Sequence, residues 1–128
     1  ASGGCQAEIG TASAMAAGAL VALHGGGGKA IVHAAAMAIK NLLGLVCDPV
    51  AGLVEVPCVK RNVVGAMNAL SSADMALAGI ESRIPPDQVI DAMKEVGDQM
   101  NSSLKETGIG GLAGTPFGKE VAENFLGK

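Results

Sequence analysis

Two cysteines eleven positions apart, each within two residues of a proline, fix the shape of one stretch, CDPVAGLVEVPCVKRN, running from Cys47 to Asn62. Pro49 disfavours the helical region at Asp48, and Pro57 does the same at Val56, so the backbone beside each thiol is extended and stiff. Gly52 supplies an easy bend between them. A helical pattern begins directly after Cys58, which puts that thiol at a helix N-terminus, where the partial positive charge favours a thiolate. The reading is therefore a lowered thiol pKa beside the cations Lys60 and Arg61, a setting suited to a negatively charged inorganic centre.

The rest of the composition points to helices that approach closely. Phe117 and Phe125 are the only aromatic residues among 128, and there is no Trp or Tyr, while the chain holds 19 glycines. Charge is uneven: residues 1–58 carry only Glu8, Lys29, Lys40, Asp48 and Glu55, so the first half is expected to be buried on most sides. A formal net charge of −3 offers no electrostatic footprint for nucleic acid. The uncharged helical stretch Ile9–Leu23 falls short of the ~20 residues of a membrane span and is rich in Gly, Ser and Thr, so it reads as a buried helix.

In chain order, a first helix over Gln6–Leu23 carries Ile9, Met15, Leu20 and Leu23, with His24 at its C-terminal end. The glycines at 25–28 connect to a second helix, Lys29–Leu43, whose stripe is Ile31, Ala35, Ala38, Ile39 and Leu42. Gly44 stops it, and the cysteine loop follows. A third helix, Val59–Ala78, presents Val63, Met67, Leu70 and Leu77 and closes at Gly79. Pro86 opens a fourth, with Asp87 in its first turn and a stripe of Val89, Met93, Val96, Met100 and Leu104. Residues 107–114 form a glycine-rich loop, and Thr115-Pro116 caps and starts a short last helix to about Leu126. No segment alternates with period two and no repeat occurs. The fold class is all-α, a compact domain of about five helices with small-residue packing and the cysteine loop between helices two and three.

Three cysteines, Cys5, Cys47 and Cys58, cannot all pair internally, and nothing suggests secretion, so reduced thiols and a cytoplasmic setting are expected. Buried thiols acting as small hydrophobes are the plainer account. The short Cys-x₂₋₄-Cys pair usual for zinc is absent. All three cysteines, however, fall at expected helix ends. Three thiolates fit a cuboidal iron–sulfur cluster that keeps one iron free of protein, open to act as a Lewis acid.

The stretches GCQAEIGTASAMAAG (4–18), LGLVCDPVAGLVEVPCVKRN (43–62) and KETGIGGLAG (105–114) closely resemble the iron–sulfur-dependent bacterial L-serine dehydratases, in the C-terminal part of their α chain or α domain. The resemblance spans nearly all of residues 1–128. It implies a four-iron, four-sulfur cluster on Cys5, Cys47 and Cys58, no pyridoxal phosphate, and dehydration of L-serine to pyruvate and ammonia through an aminoacrylate. It also implies a β domain or β subunit as partner, a dimeric enzyme, and a place in amino-acid degradation and gluconeogenesis. Arg61 and Asn62 are candidate contacts to substrate or to the cluster's surroundings, with Lys60 and Glu8 beside them.

The family's Ser-His-Thr and Thr-Asn-Gly stretches do not occur in this sequence, so the general base and most substrate-carboxylate contacts are expected outside it, and the fragment alone is expected to be inactive. Nor does the sequence end in the terminal cysteine with which some relatives cap their own site. His24 and His33 read as a helix cap and a helix-flank residue. Gly25–Lys29 is not a phosphate loop, since Leu23 and Ala30 stand where a Walker motif needs Gly and Ser or Thr. Two rival readings remain at this point: a related lyase acting on cysteine, and a non-catalytic helical partner domain. A metal-anchored site also implies that Gly44–Pro57 is poorly ordered without metal.

Overall fold

The computed structural model describes residues 2–127 and contains five α-helices: α1 (Cys5–Leu23), α2 (Gly28–Asn41), α3 (Cys58–Leu77), α4 (Pro86–Gln99) and α5 (Pro116–Leu126). Short 3₁₀ turns lie at Val50–Gly52, Ser102–Leu104 and Gly111–Gly114. The only β-type pairing among the described residues is an isolated parallel bridge between Cys47 and Lys105. The all-α expectation holds.

The first three helices form an up-down-up bundle. Positions Gly10 and Gly18 of α1 face Leu42 and Ile31 of α2, so these two run antiparallel. Residues Ile9 and Val21–Gly26, along and just past α1, meet Gly65 and Leu77 of α3 in the same order, so α1 and α3 are parallel. Small residues make this possible. α1 buries Gly10, Ser13, Ala14, Ala17 and Gly18, and α3 buries Gly65, Ala69, Ser72, Ala73 and Ala76. A methyl added at Gly65 would stand 2.7 Å from Ile9 Cγ2.

Here the sequence expectation for α3 is reversed. Val63, Met67, Leu70 and Leu77 are exposed, at 60, 60, 45 and 39 %. The helix buries its small and polar face because close approach to α1 leaves no room for larger side chains there. On α1, Met15 and Leu23 are likewise exposed within this chain.

Asn68 joins the three helices. Its Nδ2 donates to Ser13 Oγ and to the Ala38 carbonyl, both at 2.9 Å, and its Oδ1 accepts from Asn41 Nδ2 at 2.8 Å. Ser13 Oγ in turn donates to the Gly65 carbonyl at 2.7 Å. No buried side-chain polar atom among the described residues lacks a partner.

Pro86 and Asp87 open α4 as expected, but the helix ends at Gln99 rather than near Leu104. Met100 is extended, and the Asn101 side chain accepts the Ser103 amide, starting a separate turn that competes with helix. His24 caps α1, its Nδ1 meeting the Leu20 carbonyl at 2.8 Å. Thr115 caps α5 by accepting the Gly118 amide at 3.1 Å. α5 packs on the 3₁₀ turns at 50–52 and 111–114. Among the described residues, no helix is long and apolar enough to cross a membrane.

Asn68→Ala is expected to destabilise the chain by about 2–4 kcal/mol, because it removes buried hydrogen bonds to the Ala38 carbonyl, the Ser13 hydroxyl and the Asn41 side chain at once. Urea unfolding followed by circular dichroism measures this.

Candidate metal centre

The up-down-up path decides where the cysteines meet. Cys5 is the first residue of α1 and Cys58 the first of α3, and parallel packing puts both at the same end of the bundle. α2 returns the chain to that end, where the Gln6 amide donates to the Leu45 carbonyl at 2.9 Å, and Cys47 follows immediately. All three cysteines are free, buried, and line one cavity of about 60 Å³ together with Glu8, Ile9, Asn62 and Glu106.

Each cysteine is held by contacts the sequence did not announce. Gln6 is 1 % exposed, and its Nε2 donates to the Gly3 carbonyl at 2.9 Å and the Met93 carbonyl at 3.0 Å. Its Oε1 accepts the Gly44 amide at 3.0 Å. One side chain thus ties the start of α1 to α4 and to the approach of the cysteine loop. Gly4, at φ 80°, passes so close to the Leu45 carbonyl that a side chain there would stand 2.8 Å from it. Cys47 is held on both backbone sides: its amide donates to the Leu104 carbonyl at 2.8 Å, and its carbonyl accepts the Glu106 amide at 2.9 Å.

The loop therefore has protein anchors of its own. Cys47–Val50 are buried, while Val54–Val56 at the tip are exposed. The bend between the thiols uses both Ala51 and Gly52, at φ 56° and 71°.

The remaining candidates separate clearly. Asn62 lines the cavity, with its Nδ2 donating to the Cys58 carbonyl at 2.9 Å. Glu8 is exposed and also lines it. Lys60 is exposed and does not line the cavity. Arg61 sits beside Cys47: its Nη1 donates to Asp48 Oδ1 at 2.6 Å and to the Val46 carbonyl at 2.9 Å. Glu106 was not singled out from the sequence. Its approach to Cys47 depends on a left-handed backbone at φ 68° that nothing in its residue type announces. His33 Nδ1 accepts the Ser82 amide at 3.0 Å on the far side of α2, a structural role.

Electrostatics correct the sequence reading of the thiols. Burial, first, and then the neighbouring Cys5 push the Cys47 thiol up to about 12, with the Glu106 carboxylate adding to the rise. Cys58 is also raised, by burial and then by Cys5. Its helix-start amide and Arg61 pull the other way, as expected from the sequence, but they are outweighed. The bare Cys47 thiol stays protonated at neutral pH. A bound cationic centre would reverse that, since a coordinating thiol is deprotonated outright.

Among the described residues, no three His, Cys, Asp or Glu side chains gather tightly enough for a single metal ion. The three thiols nevertheless line one cavity.

The serine dehydratase alpha chain family matches residues 1–113. The chain belongs to that family. It is 62 % identical over 128 residues to a probable L-serine dehydratase, alpha chain, of Latilactobacillus sakei, covering 100 % of this chain and 61 % of that protein. It is 61 % identical over 127 residues to a probable L-serine dehydratase, alpha chain, of Bacillus subtilis, covering 99 % of this chain and 42 % of that one. With the L-serine dehydratase, alpha chain, of Peptoniphilus asaccharolyticus the identity is 57 % over 126 residues, covering 98 % and 43 %. The chain thus spans about half the length of these curated relatives.

In the metal-free serine dehydratase alpha chain segment at pH 8, Cys47 is expected to react with iodoacetamide roughly 10³-fold more slowly than an unperturbed thiol, because its pKa is raised to about 12 from 9.0. The rate should climb with pH until that value is approached. Mass spectrometry of the alkylated peptides reads each site separately.

Proposed function

We propose that this chain is the cluster-holding part of an iron–sulfur-dependent L-serine dehydratase, with Cys5, Cys47 and Cys58 as the ligands of a four-iron, four-sulfur cluster. The observation that carries the reading is the meeting of three buried free thiols, from three separate parts of the chain, around one cavity. The family membership and the relatives' printed names support the reaction. When bound, the cluster would supply an iron with an open position that draws off the hydroxyl of L-serine as a Lewis acid, with no pyridoxal phosphate involved.

The chain's own residues do the holding and part of the recognition. Glu8 and Glu106 put carboxylates on the cavity wall, matched to the ammonium group of an amino acid rather than to its carboxylate. Asn62 adds an amide there. Arg61 supports the site from behind Cys47, its Nη1 donating to Asp48 and to the Val46 carbonyl. The carboxylate contacts and the base that removes the Cα proton belong to the rest of the enzyme, including a β chain or β domain. Loss of that proton and of the hydroxyl as water leaves an aminoacrylate, which tautomerises and hydrolyses to pyruvate and ammonia. The chain by itself turns over no serine on this reading, and the enzyme is a cytoplasmic dimer.

Anaerobic incubation with ferrous iron and sulfide is expected to give the broad brown visible absorption of a cluster, lost in Cys5→Ser, Cys47→Ser and Cys58→Ser alike. L-serine should perturb the electron paramagnetic resonance of the reduced centre. Iron uptake that survives all three substitutions would sink the assignment.

A further inference from the structure

Asp48 has no part in the cavity wall, yet it is 3 % exposed and both its oxygens are used. Oδ1 accepts from Arg61 Nη1 at 2.6 Å, and Oδ2 accepts the Leu112 amide at 2.8 Å. Arg61 lies three residues after Cys58, on the same face of the first turn of α3. The same Nη1 also takes the Val46 carbonyl, so one guanidinium grips the residue on each side of Cys47. Gly111 completes the arrangement. At φ 60° it passes directly over Asp48, and a methyl there would collide with the carboxylate.

We propose that Asp48 is the positioning residue that sets the separation of Cys47 from Cys58, by locking the Cys47 limb to α3 through Arg61 and to the 108–114 loop through Leu112. A buried ion pair contributes little net stability over packed apolar side chains of the same volume; what it fixes here is a single geometry. The pair spans the Cys47 limb and the Cys58 helix, and its hydrogen bonds reach Val46 and Leu112. The consequence for metal binding rests on the cluster reading above, whereas the consequence for the backbone does not.

The test has two arms, each in the full chain. In the first, without metal, hydrogen exchange is read at the Glu106 amide, which bonds to the Cys47 carbonyl and not to Asp48. Asp48→Asn is expected to speed it about tenfold while the α1 and α2 amides keep their protection. In the second, after anaerobic loading, excess chelator is expected to strip the visible absorption of Asp48→Asn about 10–100-fold faster than native, the range typical of lost outer-shell support. The resonance line shape of the reduced centre should change with it. Gly111→Ala is expected to reproduce both effects, yet to add less than about twofold in an Asp48→Ala background, where the collision is gone.

Native exchange at Glu106 in Asp48→Asn, or additive effects of the two substitutions, would overturn the positioning role. A native chain that takes up no iron and sulfide would overturn the cluster reading alone and leave the exchange arm to decide. Should Asp48→Asn fail to fold, Gly111→Ala, which keeps both ion-pair partners, carries the same two measurements.

Discussion

The close approach of α1 and α3 is the constraint from which the rest follows. Both helices begin on a cysteine, and both bury glycine, alanine and serine where they touch. Because the two run parallel, bringing their axes together also brings their first residues together. Bulkier side chains at Ser13 or Gly65 would separate the helices and move Cys5 away from Cys58. The Asn68 and Ser13 hydrogen bonds fix the register of that approach, which apolar contact between small residues specifies weakly.

The third thiol depends on a different kind of support. Cys47 belongs to no helix, so its place is set by backbone hydrogen bonds to Leu104 and Glu106 and by the side chains of Gln6, Arg61 and Asp48. Helix packing positions two donors and a polar network positions the third. The glycine-rich 107–114 segment has a role here that is neither a hinge nor a phosphate cradle. Gly111 lets the main chain come down onto Asp48, and Leu112 donates the hydrogen bond.

What the sequence disclosed follows the same division. Local signals were readable: Gly44 and Gly79 after helices, Pro86 and Pro116 at helix starts, Thr115 as a cap, and the cysteines at helix ends. The buried face of α3 was not, because a hydrophobic stripe ranks Val63 and Met67 above Gly65 and Ala69, whereas close packing prefers the reverse. Arg61 read as a free cation beside a thiol because its partner, Asp48, sits thirteen residues earlier, and pairing across a loop leaves no periodic trace. Gln6 and Asn68 were invisible as hubs for the same reason: their value lies in carbonyls supplied by distant segments. The end of α4 was missed because Asn101 competes for the backbone locally, which apolar spacing through Leu104 does not register.

The thiol electrostatics show why geometry alone is insufficient for this site. At Cys47 burial, first, and then the neighbouring Cys5 push the thiol up to about 12. A helix N-terminus contributes about 0.3–1 kcal/mol, up to ~2 in a partly buried setting, and Cys47 has none of its own. Arg61 is nearby, but its charge is spent on Asp48. Glu8 and Glu106 push in the unfavourable direction. The protein thus gathers three thiols and two carboxylates around one cavity without a basic side chain on its wall. A cation bound directly by the sulfurs, as in the proposed cluster, would bring the positive charge that this wall lacks.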